Sequence, residues 1–124
     1  MTAFRLLSAG LLSIALSSPV AAQPAVQTIY VWSFNFAPKP IHLRAGVPVT
    51  LNFVNRSGGG HDFTAKGFFA RSRILSGAAP DGEIELRGGE ARSITLVPAA
   101  GTYKAHCSHF LHAQMGMQDL IVVD

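Results

Sequence analysis

A second cysteine is missing from this sequence. The chain of 124 residues contains one, Cys107, so no disulfide can form within it, although small exported domains usually carry their cysteines in pairs. Charge is also scarce: Asp, Glu, Lys and Arg supply 14% of the residues, with a net charge of +3. The basic residues nowhere cluster, which argues against a nucleic-acid or membrane-surface patch. Long apolar runs are absent as well. The longest, Leu6 to Leu16, is shorter than the ~20 residues that a helix needs to cross a bilayer. There is no long helical pattern, no internal repeat and no linker. No acid/base pair stands out, and a catalytic activity is not expected.

What is present begins with an export signal. Arg5 provides a positive start, Leu6 to Leu16 an apolar segment, and Val20-Ala21-Ala22 the small residues of a cleavage site. Residues 1–22 are expected to be a signal peptide and residues 23–124 a single domain exported to the periplasm. The mature chain of about 100 residues can bury one small core.

That domain reads as β-structure throughout. Residues 27–36 are rich in β-branched and aromatic side chains, and Ile41 to Arg44 forms a second extended piece after Pro38 and Pro40. Val47, Val49, Leu51 and Phe53 alternate with polar or turn residues, the pattern of a half-buried strand. Ser57-Gly58-Gly59-Gly60 is a loop. Residues 66–80 read as an irregular connection with one helical turn. Glu83 to Arg87 and Ala91 to Val97 alternate on either side of Gly88-Gly89, which signals a tight hairpin. Tyr103, Ala105 and Cys107 share one face of a further strand, and Leu120 to Val123 closes the chain. The expected fold is an antiparallel Greek-key β-sandwich of about seven or eight strands.

The chemistry concentrates near the C-terminus. Cys107 is followed by His112 and then by Met117, at intervals of five residues, and the chain then returns to an apolar strand. A thiolate, an imidazole and a thioether on one short loop form a soft donor set suited to copper. A second imidazole has to come from elsewhere, and His61, after the glycine loop, is the obvious donor. A thiolate held by a metal is also protected from oxidation. His106 directly precedes Cys107, so on a strand it points to the opposite face. His109 lies two residues past Cys107, which leaves little chain for a ligand loop, and His42 reads as a surface strand residue.

The pattern Gly-x-Tyr-x-x-x-Cys-x4-His-x4-Met-x-x-x-Ile-x-Val, with Asn55…His61-Asp62-Phe63 upstream, resembles the signature of cupredoxins, the blue-copper proteins such as plastocyanin, pseudoazurin and azurin. The resemblance extends from about residue 27 to the end. It implies His61, Cys107 and His112 as trigonal ligands of one copper and Met117 as the long axial ligand. Met115 is the competing axial candidate; Met117 is preferred because the strand after it matches the family in phase. Two positions depart from the family. Asp62 stands where Asn usually braces the copper loops, and its charge is expected to favour Cu(II). Asp119 stands where Gly is usual, which raises the expectation of backbone strain there.

The resemblance implies an exported, monomeric electron carrier that docks transiently with a redox partner, through apolar residues beside His112. The alternative is a copper carrier or buffer serving a copper-delivery partner, which the additional His106, His109 and Met115 would suit. A binuclear thiolate-bridged centre needs two cysteines and is excluded.

Overall fold

The computed structural model describes residues 10–19 and 23–124. The start of the expected signal peptide and the expected cleavage residues Val20-Ala21-Ala22 lie outside these, and residues 10–19 have no regular secondary structure. Among the described residues, no helix is long and apolar enough to cross a membrane.

Two five-stranded sheets face each other. The first contains β1 (Ala25–Trp32), β2 (Asn35–Ala37), β4 (Val49–Asn55), β6 (Arg73–Ser76) and β8 (Ala91–Val97), in the order β2-β1-β4-β8-β6. The second contains β3 (Ile41–Leu43), β5 (His61–Thr64), β7 (Glu83–Leu86), β9 (Gly101–His106) and β10 (Gln118–Val123), in the order β3-β10-β9-β5-β7. The β-sandwich expected from the alternating pattern is therefore present. Its finer wiring differs from a purely antiparallel arrangement, because β1 runs parallel to β4 and β3 runs parallel to β10.

Other local readings are refined. The stretch 27–36 divides into β1 and β2, which fold back on each other around Ser33-Phe34. The connection 66–80 contains a helix, α1 (Lys66–Arg71), as well as the edge strand β6. Gly88-Gly89 does not close a hairpin: β7 pairs with β5 and β8 with β4, in opposite sheets. The glycine pair instead carries the chain across the end of the sandwich. Gly88 is required by packing, since a Cβ there would sit 2.3 Å from the Gly58 carbonyl oxygen.

Period-two alternation sends Ile29, Val31, Leu51, Phe53, Ile94 and Leu96 inward from the first sheet and Phe63, Leu86, Tyr103, Ala105 and Ile121 inward from the second. Phe63 is at the centre, with ring centroids 5.3 Å from Phe36 and 4.8 Å from Phe53. Each fully buried Val, Leu, Ile or Phe among them contributes about 1.5–3 kcal/mol by leaving water. The same alternation places His61 on the inward face of β5 with Phe63, and Cys107 in line with Tyr103 and Ala105. Both are buried, and so is Met117, at the end of the core between β9 and β10.

Candidate metal centre

Three donor atoms converge at this end of the sandwich. Nδ1 of His61 lies 3.2 Å from Nδ1 of His112, Sγ of Cys107 lies 3.4 Å from the latter, and 4.0 Å separates Sγ from His61 Nδ1. Bonds of about 2.0–2.3 Å to a central ion require trigonal donors roughly 3.5–4 Å apart, so the triangle fits one metal ion. Its chemistry, one thiol and two imidazoles, fits copper.

Each donor is set by local structure. Ser33, in the turn between β1 and β2, places its hydroxyl 3.1 Å from His61 Nε2, which leaves Nδ1 facing the triangle. Phe34 beside it packs edge-on against His112, with centroids 5.0 Å apart. Neither residue stands out in the sequence as part of the site, because a Ser-Phe pair in a turn carries no metal signature. Burial holds His61 below the usual histidine range, and the nearby His112 and His109 lower it further. A neutral imidazole with a free nitrogen is the ligand form. Burial pushes the Cys107 thiol up, whereas the backbone N–H groups of Asp62 and His109 pull it down.

The loop between β9 and β10 is held by its own backbone. Cys107 N–H donates to the Met117 carbonyl at 3.1 Å and Met117 N–H donates to the His112 carbonyl at 3.1 Å, so the three loop residues singled out in the sequence are tied together. His112 N–H donates to His109 at 3.1 Å. Leu111 takes φ of +62°, a left-handed conformation unusual for a branched side chain, and Gly116 takes +99°. Met117 is fully buried, whereas Met115 is 58% exposed.

The Asp62 carboxylate links the two segments that carry the donors. It is fully buried and acts as an acceptor: Oδ1 takes the Thr64 hydroxyl at 2.9 Å and the Ser108 N–H at 2.8 Å, and Oδ2 takes the Ser108 hydroxyl. Asp62 therefore braces the strand of His61 against the loop of Cys107 by accepting. The contact to sulfur comes from its backbone, whose N–H points at Cys107 Sγ over 3.5 Å. Asn55, buried, fixes the other side. Its Nδ2 lies within 3.2 Å of the Gly59, Leu86 and Arg87 carbonyls and its Oδ1 accepts from Ser57, which pins the glycine loop before His61.

Asp119 does not strain the backbone. It is an ordinary residue of β10 paired with Ala105. Its side chain is the anomaly: Oδ2 is buried without a hydrogen-bond partner, and burial pushes the carboxyl up to about 6, against the Leu120 N–H and Lys39, which lower it. His42 and His106 are exposed on their strands, as expected. His109 is nearer the site than its position in sequence suggests, with its ring centroid 5.4 Å from that of His112 and 6.3 Å from that of His61.

Fold and site together define a cupredoxin, a β-sandwich that carries a cysteine–histidine copper centre at one end. A profile of copper binding proteins of the plastocyanin/azurin family matches residues 26–124, and the chain belongs to that family. Copper is its cofactor. Among solved structures, auracyanin B aligns with a TM-score of 0.58 at 23% identity, over 85% of this chain and 93% of that one. Reduced auracyanin from Roseiflexus castenholzii gives 0.62 at 21% identity, over 84% and 99%. A multicopper oxidase from Campylobacter jejuni gives 0.64 at 14% identity, over 87% of this chain but 31% of the oxidase. These likenesses concern the fold. A search of curated protein sequences finds no match.

Proposed function

We propose that this protein is an exported electron carrier of the periplasm, with one type 1 copper held by His61, Cys107 and His112 and, more distantly, by Met117. The observation that carries this reading is the buried triangle of His61 Nδ1, His112 Nδ1 and Cys107 Sγ, with sides of 3.2–4.0 Å. The bound copper supplies one-electron chemistry. The chain's own residues do the rest. Ser33, Asp62 and the loop hydrogen bonds hold the donors in place, so little rearrangement accompanies a change of charge. Met117, rather than Met115, would be the methionine that holds the metal, because it is the one inside the core.

Phe110, Leu111 and Met115 are exposed around the half-buried His112. An apolar rim of this kind suits brief docking of a redox partner by a monomer. A carrier has no substrate to turn over, and we assign no catalytic role. The test is the absorption and paramagnetic resonance spectrum of the mature protein loaded with copper. An intense visible thiolate-to-copper band with narrow copper hyperfine splitting is expected; a colourless protein that exchanges Cu(I) readily supports the second reading, a copper carrier or buffer. That second reading draws on the placement of His109, which shares Cys107 with another group of donors.

A further inference from the structure

Cys107 belongs to two donor groups. One is His61, Cys107 and His112. The other is Asp62, Cys107 and His109, whose ligand atoms also lie within 4.8 Å of one another. Of the second group only His109 reaches solvent; Asp62 and Cys107 are buried. Asp62 is on the opposite face of β5 from His61, and its cross-strand partner on β7 is Glu85. His109 joins them from the loop, with Nε2 2.9 Å from Glu85 Oε1 and 3.8 Å from Asp62 Oδ2. Its side chain is 32% exposed and that of Glu85 50%, whereas Asp62 is wholly buried. The donors thus form a graded path from solvent to sulfur.

The carboxylates beside His109 suit a cation. Like charges directly opposite each other on a sheet repel, and Asp62 and Glu85 are such a pair with Glu83 beside them. Burial, with Glu85 and Asp62 close by, pushes the Glu83 carboxyl up. Gly60 also leaves room for the imidazole, since a Cβ at that position would come within 3.4 Å of His109 Cε1.

We infer that His109 and Glu85, with Asp62 behind them, form an outer capture station that takes aqueous Cu(II) and delivers it to Cys107. An imidazole with carboxylates suits the hydrated Cu(II) ion, and the thiolate and second imidazole of the inner site hold it more firmly. On delivery, the bonds from the His109 nitrogen and the carboxylate oxygens break, bonds from Cys107 Sγ, His61 and His112 form, and the thiol proton leaves to water. No electron is transferred in this step. The inference rests on the type 1 reading of the inner site.

The experiment is stopped-flow loading of the copper-free mature protein with Cu(II), following growth of the visible thiolate band. In the wild type, the rate should saturate with copper concentration, as capture before transfer requires. In His109→Ala and Glu85→Gln it should fall about tenfold and become linear in copper, while the final band matches that of the wild type. Equal rates in wild type and both variants overturn the station and leave the inner site standing. Loss of the final band in His109→Ala, with Glu85→Gln loading at the wild-type rate, also overturns it, because His109 would then belong to the inner site. No band in the wild type removes the type 1 reading itself, and the station with it.

Discussion

The Asp62 carboxylate accepts the backbone N–H of Ser108 at 2.8 Å, joining the strand that carries His61 to the loop that begins at Cys107. An acceptor in this position carries charge into a site that holds a cation. Asp62→Asn keeps an oxygen for Thr64 and Ser108, and the Ser108 hydroxyl can turn to accept from the new amide. The substitution should therefore leave the visible band intact and raise the reduction potential, because the negative charge that favours Cu(II) is removed. The expected size is on the order of 1 kcal/mol. Voltammetry of both proteins at one pH checks it, and an unchanged or lower potential contradicts the charge argument.

Cys107 is the only thiol in the chain. Cys107→Ser should bind copper weakly and without the intense visible band, since serine cannot provide a soft thiolate donor. Absorption spectra of the two copper-loaded proteins decide the matter. A persistent band in the variant places the sulfur ligand elsewhere.

Met117 and Met115 are distinguished by burial. Met117→Leu keeps the volume of a fully buried side chain, so it should cost less than about 1.5 kcal/mol of stability. It should keep the copper and raise the potential, because the oxidised ion loses a weak donor. Met115→Leu should change the potential little. If the two variants behave in the opposite way, the axial assignment belongs to Met115.

Asp119 makes stability depend on pH. Its folded carboxyl titrates at about 6, above the ordinary value of 3.8, so the folded protein holds this proton when the unfolded chain has lost it. The stability from the neutral form is fully present below pH 3.8 and is lost as pH rises to about 6. A shift of this size corresponds to roughly 3 kcal/mol. Denaturant titrations of the copper-free protein between pH 4 and 7 should show this decline in the wild type against a flatter course in Asp119→Asn. Parallel courses for the two proteins would exclude Asp119 as the source.

Asn55→Ala should cost about 1–3 kcal/mol, because it leaves the buried Leu86 carbonyl without its donor and unpins the Gly59 loop. It should also slow formation of the visible band, since His61 follows directly on that loop. Thermal unfolding, together with copper titration, measures both effects. A stable variant with normal copper uptake would show that the loop holds its shape without Asn55.

The sequence by itself determined the faces and the chemistry. Alternation in 49–53, 83–86 and 91–97 decided which side chains go inward, because a pleated strand turns successive residues to opposite sides. The same rule separated His106 from Cys107, and the spacing of Cys107, His112 and Met117 chose the donors. Which strands meet was decided only in three dimensions. Gly88-Gly89 looks like a hairpin turn locally, yet β7 and β8 enter different sheets, because each pairs edge to edge with a strand other than its neighbour across the glycines. Ser33 and Asn55 join the site through contacts 28 and 31 residues away in sequence, to His61 and Leu86. Local sequence carries no trace of such partners. Asp62 shows the same division. Its charge is legible in the sequence, but its role as an acceptor depends on the Ser108 donors that folding brings across the loop.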